Sequence, residues 1–378
     1  MHRPAVKRRP ARLNSQARAS GDGRRALRAA AAALFALLFL TPAGAALAAF
    51  GGSAVSSAPA ASSAPAASSS PSATARSSPG VAAASRPGVA ATPTAASRSG
   101  GQHATVRRDI AYARVSPSEK LDLYLPATGS APYPLIVAIH GGGFMAGDKS
   151  DSQVAPMLLG LARGYAVASI DYRLSGEAKF PAQIQDVKAA IRWLRASAGR
   201  YKLDPARIAV WGDSAGGNLA ALAGTSAGVA ALSDPALGNA GQSDAVQAVV
   251  DWFGPISMLK VDSDFRASHA GPTGHEAPSS FESQYFGAPV RTVPGKVKAA
   301  DPITYIGAGD PPFLIEHGTA DSTVPVQQSQ RLAAALRRVL GPSAVTLRIL
   351  PGAGHMAPAI YSRANAGAVL DWLDARLR

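Results

Sequence analysis

The stretch "IAVWGDSAGGNLAAL", residues 208–222, sets a short apolar run against a run of small residues, with Gly212-Asp213-Ser214-Ala215-Gly216 at the junction. An apolar run of this length reads as a strand buried on both faces, and the Ala- and Leu-rich segment after it as a helix. G-x-S-x-G between a strand and a helix describes a sharp turn that makes the serine hydroxyl project. Side chains at 212 or 216 would run into the neighbouring strand and helix, and Ala215 must be small for the same reason. Without those flanks the five residues would describe only a glycine-rich helix start with serine as its N-cap.

Working outward, "YPLIVAIH" (133–140) and "YAVASIDY" (165–172) are further continuous apolar runs, and "SQVAPMLLGLARG" between them reads as helical. "PAQIQDVKAAIRWLRASAG" follows as an amphipathic helix. Beyond the central stretch come a strand in "AVQAVVDWFG", a strand in "PPFLIEHG", a helix in "QQSQRLAAALRRVLG", a strand in "VTLRILPG" and a closing helix in "AGAVLDWLDARLR". "TVRRDIAYARV" and "KLDLYLP" alternate with period two, as an antiparallel entry hairpin does, with Leu121, Leu123 and Leu125 on one face. Strands alternating with helices at this spacing predict an α/β domain over 105–378, a mostly parallel central sheet covered by helices on both faces. Residues 255–310 break the rhythm; a connection this long is expected to act as a lid or a substrate-contacting loop.

A serine hydroxyl is a weak nucleophile, so the reading requires a base and an acid to orient it. Asp321 in "EHGTADSTVP" follows one predicted strand and His355 in "LPGAGHMAP" follows the next. Both then fall at the carboxyl ends of strands, where open α/β sheets place their sites, in the chain order Ser214, Asp321, His355. Each has an alternative. Asp321 can instead cap the helix that starts near Val324, leaving Asp251 as the reserve acid; His355 can be a structural loop histidine. His317 is the competing base, but it would crowd Asp321 on the same loop. His269 and His275 sit in a Gly- and Pro-rich loop without carboxylates at ligand spacing, so they read as surface residues and no metal is expected.

Three consecutive glycines, Gly141, Gly142 and Gly143, end the strand "LIVAIH". Glycine loses more backbone freedom on folding than any other residue, so a triplet points to a need for bare backbone. The backbone N–H groups of Gly142 and Gly143, with that of Ala215, are the expected donors to an oxyanion formed when Ser214 attacks a carbonyl. Phe144, Met145, Trp252 and Phe253 flank these loops as candidate pocket residues.

The motifs "HGGGFMAGDK" (140–149), "DYRL" (171–174), "FPAQIQDVKAAIRWLR" (180–195), "LDPARIAVWGDSAGGNLA" (203–220), "DWFGP" (251–255), "HGTADSTVP" (317–325) and "GAGH" (352–355) together resemble the α/β-hydrolase fold serine esterases with an HGGG signature. That group is hormone-sensitive-lipase-like and includes acetyl, acetyl xylan and feruloyl esterases. The resemblance covers about residues 105–378. It implies the α/β-hydrolase fold, catalysis by Ser214, Asp321 and His355, an oxyanion hole from Gly142, Gly143 and Ala215, a supporting role for His140, and no cofactor. The "DWFGP" and "HGTAD" forms are similar to the secreted carbohydrate-deacylating branch.

The N-terminal part has another character. Residues 1–28 hold nine Lys or Arg against Asp22, an apolar run "AALFALLFL" follows, and "ALAAF" supplies small residues with cleavage expected after Ala48. Residues 1–48 thus read as an export signal, Sec-type in pattern, with "GRRALRA" resembling a twin-arginine signal; an uncleaved membrane anchor is the alternative. Residues 49–104, built from Ala, Ser, Pro, Gly and Thr, read as a disordered linker. Of the formal net charge of +14, all but +3 lies in these two segments, so the basic balance does not point to nucleic acid. The chain has no cysteine, hence no disulfide and no lipid-bearing cysteine.

The sequence thus predicts a secreted or periplasmic serine carboxylesterase acting on short-chain or carbohydrate-linked esters. A serine peptidase or amidase of arylformamidase-like activity is the second reading, because the same residues serve acyl transfer from either leaving group. A non-catalytic binding module is the third.

Overall fold

The computed structural model describes residues 104–378. The export signal expected over 1–48 and, apart from its last residue, the linker expected over 49–104 lie outside the described residues. Within them runs a sheet of eight strands: β1 (Thr105–Ala111), β2 (Lys120–Leu125), β3 (Tyr133–Ile139), β4 (Ala166–Ile170), β5 (Leu203–Asp213), β6 (Ala248–Trp252), β7 (Phe313–Gly318) and β8 (Val345–Leu350). Their spatial order is β1-β2-β4-β3-β5-β6-β7-β8. β1 pairs antiparallel with β2 and β2 with β4; every later pairing is parallel, with Val137 of β3 opposite Val210 of β5 and Val210 opposite Val249 of β6. The opening strands therefore form the expected antiparallel entry to a parallel sheet.

The apolar runs are continuous because each central strand feeds two cores. Leu135, Val137 and Ile139 of β3 face one side, where Ile184, Val187 and Ile191 of α1 (Ala182–Ala196) and Leu219 and Leu222 of α2 (Ala215–Thr225) cover them. Ile136 and Ala138 face the other, with Ala209 and Trp211 of β5. Past the central strands, α3 (Val261–Ser268), α4 (Phe281–Phe286), α5 (Pro294–Ala299) and α6 (Gln327–Leu340) precede the closing helix α7 (Arg363–Leu377), whose Val369, Leu370 and Leu373 complete the second core. Side chains at consecutive strand positions point to opposite faces, so a sheet covered on both sides shows no polar alternation.

One expectation of the fold needs correction. The helix read over 152–164 is broken into three short turns, Ser152–Val154, Ala155–Leu158 and Leu159–Arg163; Pro156 has no N–H to close a preceding turn and Gly160 weakens the helix further. The segment 255–310, read as a break in the rhythm, contains α3, α4 and α5. Their brevity hid them, because six to eight residues give too few turns for a periodic signal.

Leu135 is fully buried in the central strand. Leu135→Ala is expected to lower the unfolding free energy by about 2–5 kcal/mol through lost burial and the cavity left behind. Urea unfolding of the two proteins measures this.

Candidate active site

The turn after β5 brings the backbone to a conformation few side chains adopt. Ser214 has φ 53° and ψ −120°, and its N–H donates to the Trp252 carbonyl at 2.8 Å, tying the turn to the end of β6. A Cβ on Gly212 would lie 2.1 Å from the Gly216 carbonyl oxygen, and one on Gly216 would lie 2.1 Å from that of Ile139. Both glycines of the G-x-S-x-G pattern are thus required by contact. The strained serine is held there by the packing of strand, turn and helix.

The structure brings Ser214, His355 and Asp321 together. The Ser214 hydroxyl lies 3.0 Å from His355 Nε2, and His355 Nδ1 lies 2.7 Å from Asp321 Oδ2. Asp321 Oδ1 accepts the N–H groups of Thr323 and Val324, each at 2.8 Å, so the carboxylate also closes the turn that precedes α6. The capping alternative and the acid role are both satisfied, one by each oxygen. Burial works against the Asp321 charge, but the imidazole of His355 and that of His317 hold its carboxyl well below the usual carboxylate range. The ring of Phe253 meets that of His355 edge-on, with centroids 4.7 Å apart.

The glycine loop leaves β3 and faces the same turn. Gly142 and Gly143 have φ +102° and +61°, open to glycine and strained for other residues; a Cβ on Gly142 would lie 2.2 Å from the Ala146 carbonyl oxygen. The Gly141 N–H donates to Gln153 Oε1 at 3.0 Å, whereas those of Gly142, Gly143 and Ala215 have no hydrogen-bond partner among the described residues. His140 braces the loop: its ring stacks on Tyr172 at 4.4 Å, its Nδ1–H donates to the Gly141 carbonyl at 2.8 Å, and the Tyr172 hydroxyl donates to the His140 carbonyl at 3.0 Å.

The remaining candidates separate. Asp251 is buried at the end of β6 and accepts the Gly254 N–H, with no bond to His355. His317 is fully buried; its Nε2 lies 2.8 Å from the Val324 carbonyl and 3.3 Å from Asp321 Oδ2, and its Nδ1 is 2.7 Å from Ser329 Oγ. It approaches Asp321 Oδ2, the same oxygen that His355 Nδ1 meets, and has no bond to Ser214. Phe144 lines the cavity beside Ser214, Met145 is exposed, and Trp252 is core, packed edge-on against Trp211 at 5.0 Å. His269 is exposed, but His275 is not the surface residue expected: it is mostly buried, bonded to Glu282, and lines the cavity that Ser214 lines. The signal missed was Glu282, which lies beyond a helix cap seven residues on.

Sequence reasoning also passed over Asp213, inside the motif itself. Its Oδ2 accepts the Tyr361 hydroxyl at 2.6 Å, and Gly141 packs against it. One buried carboxyl thereby contacts the serine turn, the glycine loop and the segment after His355. Burial pushes it up to about 6 despite Tyr361 and His355.

The cavity beside Ser214 holds about 30 Å³ and is walled by Gly143, Phe144, Pro255, Phe281 and Val324, with His275 and Glu282. Larger hollows of about 360 and 200 Å³ lie beside Trp193 and beside Met145, and neither is lined by Ser214 or His355. Among the described residues, no three His, Asp or Glu side chains are grouped to hold a metal ion.

An eight-stranded, mostly parallel sheet carrying these residues on the loops after β3, β5, β7 and β8 defines the α/β-hydrolase fold. The chain belongs to the BD-FAE family, a hormone-sensitive-lipase-like family of α/β-hydrolase esterases, whose model matches residues 121–336. The match includes Gly142, Gly143, Ser214, Ala215 and Asp321 and ends before His355. Esterase LipQ of Mycobacterium tuberculosis is 35% identical over 247 residues, covering 64% of this chain and 55% of that protein. A truncated carbohydrate esterase from gut microbiota superposes with a TM-score of 0.65 at 33% identity, covering 73% of this chain and 97% of its own. A bifunctional GH43-CE protein of Bacteroides eggerthii gives the same TM-score at 35% identity, covering 72% and 38%. The chain spans about half the length of the curated relatives it matches.

Burial pushes Asp251 from its ordinary value near 4 up to about 6, against the Gly254 N–H and the neighbouring His317. A carboxyl whose folded value is raised keeps more protons folded than unfolded, so its contribution to stability falls as pH rises from about 4 to about 6. Asp251→Asn should remove that decline. The stability difference between variant and wild type should change by on the order of 3 kcal/mol across the window. Urea unfolding at pH 4 and pH 7 reads it, and identical pH dependence in the two proteins would contradict it.

Proposed function

We propose that this protein is a serine carboxylesterase. The observation that carries the reading is the unbroken chain of hydrogen bonds from the Ser214 hydroxyl through His355 to Asp321, beside a cavity that Gly143 and Ala215 also line; the N–H groups of Gly142, Gly143 and Ala215 are the proposed oxyanion donors. In the proposed reaction the Ser214 oxygen attacks the ester carbonyl while His355 Nε2 takes its proton. Asp321 accepts the Nδ1–H, keeps the ring in that tautomer and stabilises the imidazolium. The carbonyl oxygen becomes an anion, and the three N–H groups, already in place, stabilise it without reorganisation. Collapse expels the alcohol with the proton returned by His355, leaving an acyl-Ser214. Water then repeats the sequence and releases the acid.

The substrates proposed are short-chain or carbohydrate-linked esters, supported by relatives named as carbohydrate esterases and by a solved acetyl ester-xyloside bifunctional hydrolase at 25% identity. We read residues 1–48 as an export signal and hence the catalytic domain as secreted or periplasmic; their basic start and apolar run support this.

Hydrolysis of p-nitrophenyl acetate by wild type and by Ser214→Ala tests the proposal. Turnover should fall by roughly a factor of 10⁶ in the variant, as when the nucleophile of such a unit is removed. Equal turnover in the two proteins rejects it.

A further inference from the structure

The segment between β6 and β7 brings a second histidine and carboxylate to the site. His275 Nδ1 lies 2.8 Å from Glu282 Oε1, and the two side chains keep only 15% and 8% of their exposure. Both are held in place. Asp262 Oδ1 accepts the N–H groups of Gly274 and His275, each at 3.0 Å. α4, which carries Glu282, is capped by Ser280, whose hydroxyl accepts the Ser283 N–H at 3.0 Å. Phe265 lies along the imidazole, with centroids 5.5 Å apart.

Packing alone does not account for this pair. Taking a histidine and a carboxylate out of water is unfavourable unless their pairing repays it, and apolar side chains of similar volume would close the cavity at least as stably. The catalytic sequence proposed above does not use the pair either. Yet it lines the same small cavity as Ser214, where perturbed titratable groups most often serve a ligand.

The geometry restricts what that ligand group is. With Nδ1 committed to Glu282, Nε2 is the remaining polar atom of the ring, and it has no hydrogen-bond partner among the described residues. A neutral ring offers a lone pair there and a protonated ring offers an N–H. Burial opposes the charged form, but the bond to Glu282, aided by the nearby Asp262, holds His275 above its ordinary value. A hydroxyl answers either state, because it both donates and accepts; an alkyl or aryl carbon answers neither. The cavity of about 30 Å³ has room for a group the size of a hydroxyl.

We propose that His275 is a specificity-determining residue that hydrogen-bonds, through Nε2, a free hydroxyl beside the ester on the alcohol portion of the substrate, with Glu282 as the positioning residue that fixes the ring. This rests on the esterase reading and narrows its substrates to esters of polyhydroxylated alcohols such as partly acylated sugars. A site built to bond a hydroxyl discriminates against esters that lack one, since binding them leaves the buried polar group unpaired.

The test compares kcat/KM on a monoacetylated methyl xyloside with kcat/KM on p-nitrophenyl acetate. His275→Leu should lower the sugar-to-aryl ratio by about tenfold to a hundredfold, the range for one hydrogen bond to a charged group. His275→Gln, whose amide reaches roughly the Nε2 position, should recover part of it. Glu282→Gln, which keeps an acceptor for Nδ1–H but removes the charge, should lower the ratio by about threefold to tenfold. This arm stands if His275→Leu fails to fold. A ratio unchanged in both His275→Gln and Glu282→Gln overturns the proposal. So does a change confined to acyl length, acetate against butyrate, which would assign the cavity to the acyl chain. If the wild type does not hydrolyse p-nitrophenyl acetate at all, the esterase reading itself fails.

Discussion

The contact between Gly216, at the start of α2, and the Ile139 carbonyl, at the end of β3, fixes much of what surrounds it. No side chain fits between them, since a Cβ on Gly216 would stand 2.1 Å from that oxygen. Because helix and strand meet this closely, the serine turn and the glycine loop are neighbours, and Ala215 and Gly143 line one cavity with Ser214. The strained φ of Ser214 is the local consequence, sustained by two cores that lock β3 and β5 in register. Electrostatic stabilisation of the kind proposed depends on donors that are in place before charge develops. Here their placement comes from backbone packing and does not depend on side-chain rotamers.

A second layer of polar groups ties the loops to one another. Asp213 touches the serine turn, Gly141 and Tyr361; His317 and the two N–H groups of the 321–324 turn surround Asp321; Tyr172 and His140 hold the glycine loop from below. Each satisfies polar atoms that burial would otherwise leave unpaired. Their shared feature is that one side chain serves two loops, so a small displacement of one loop is resisted by another.

Most of the sheet was legible because its strands are buried on both faces and its helices carry one apolar stripe, patterns that survive without tertiary information. The G-x-S-x-G turn and the glycine triplet were legible because close backbone approach admits no other residue. Asp321 and His355 could be placed by chain order and strand ends. What the sequence concealed depends on contacts between distant segments. Nothing local marks Asp213 as the partner of Tyr361, 148 residues on. His275 looked like a loop residue because α3 and α4, which bury it, are too short to show a period. The breaks in 152–164 were likewise hidden, as Pro156 and Gly160 interrupt a pattern that otherwise reads as one helix.

The central claim is that Ser214 is a nucleophile activated through His355 and opposed by preorganised backbone donors. Covalent labelling with a fluorophosphonate probe, read by peptide mass spectrometry, tests it most directly. The account predicts stoichiometric modification at Ser214 in the intact protein and labelling slower by several orders of magnitude in His355→Ala, as expected when the general base of such a unit is lost. Failure of the probe to modify Ser214, or labelling of Ser214 at the same rate without His355, would contradict it.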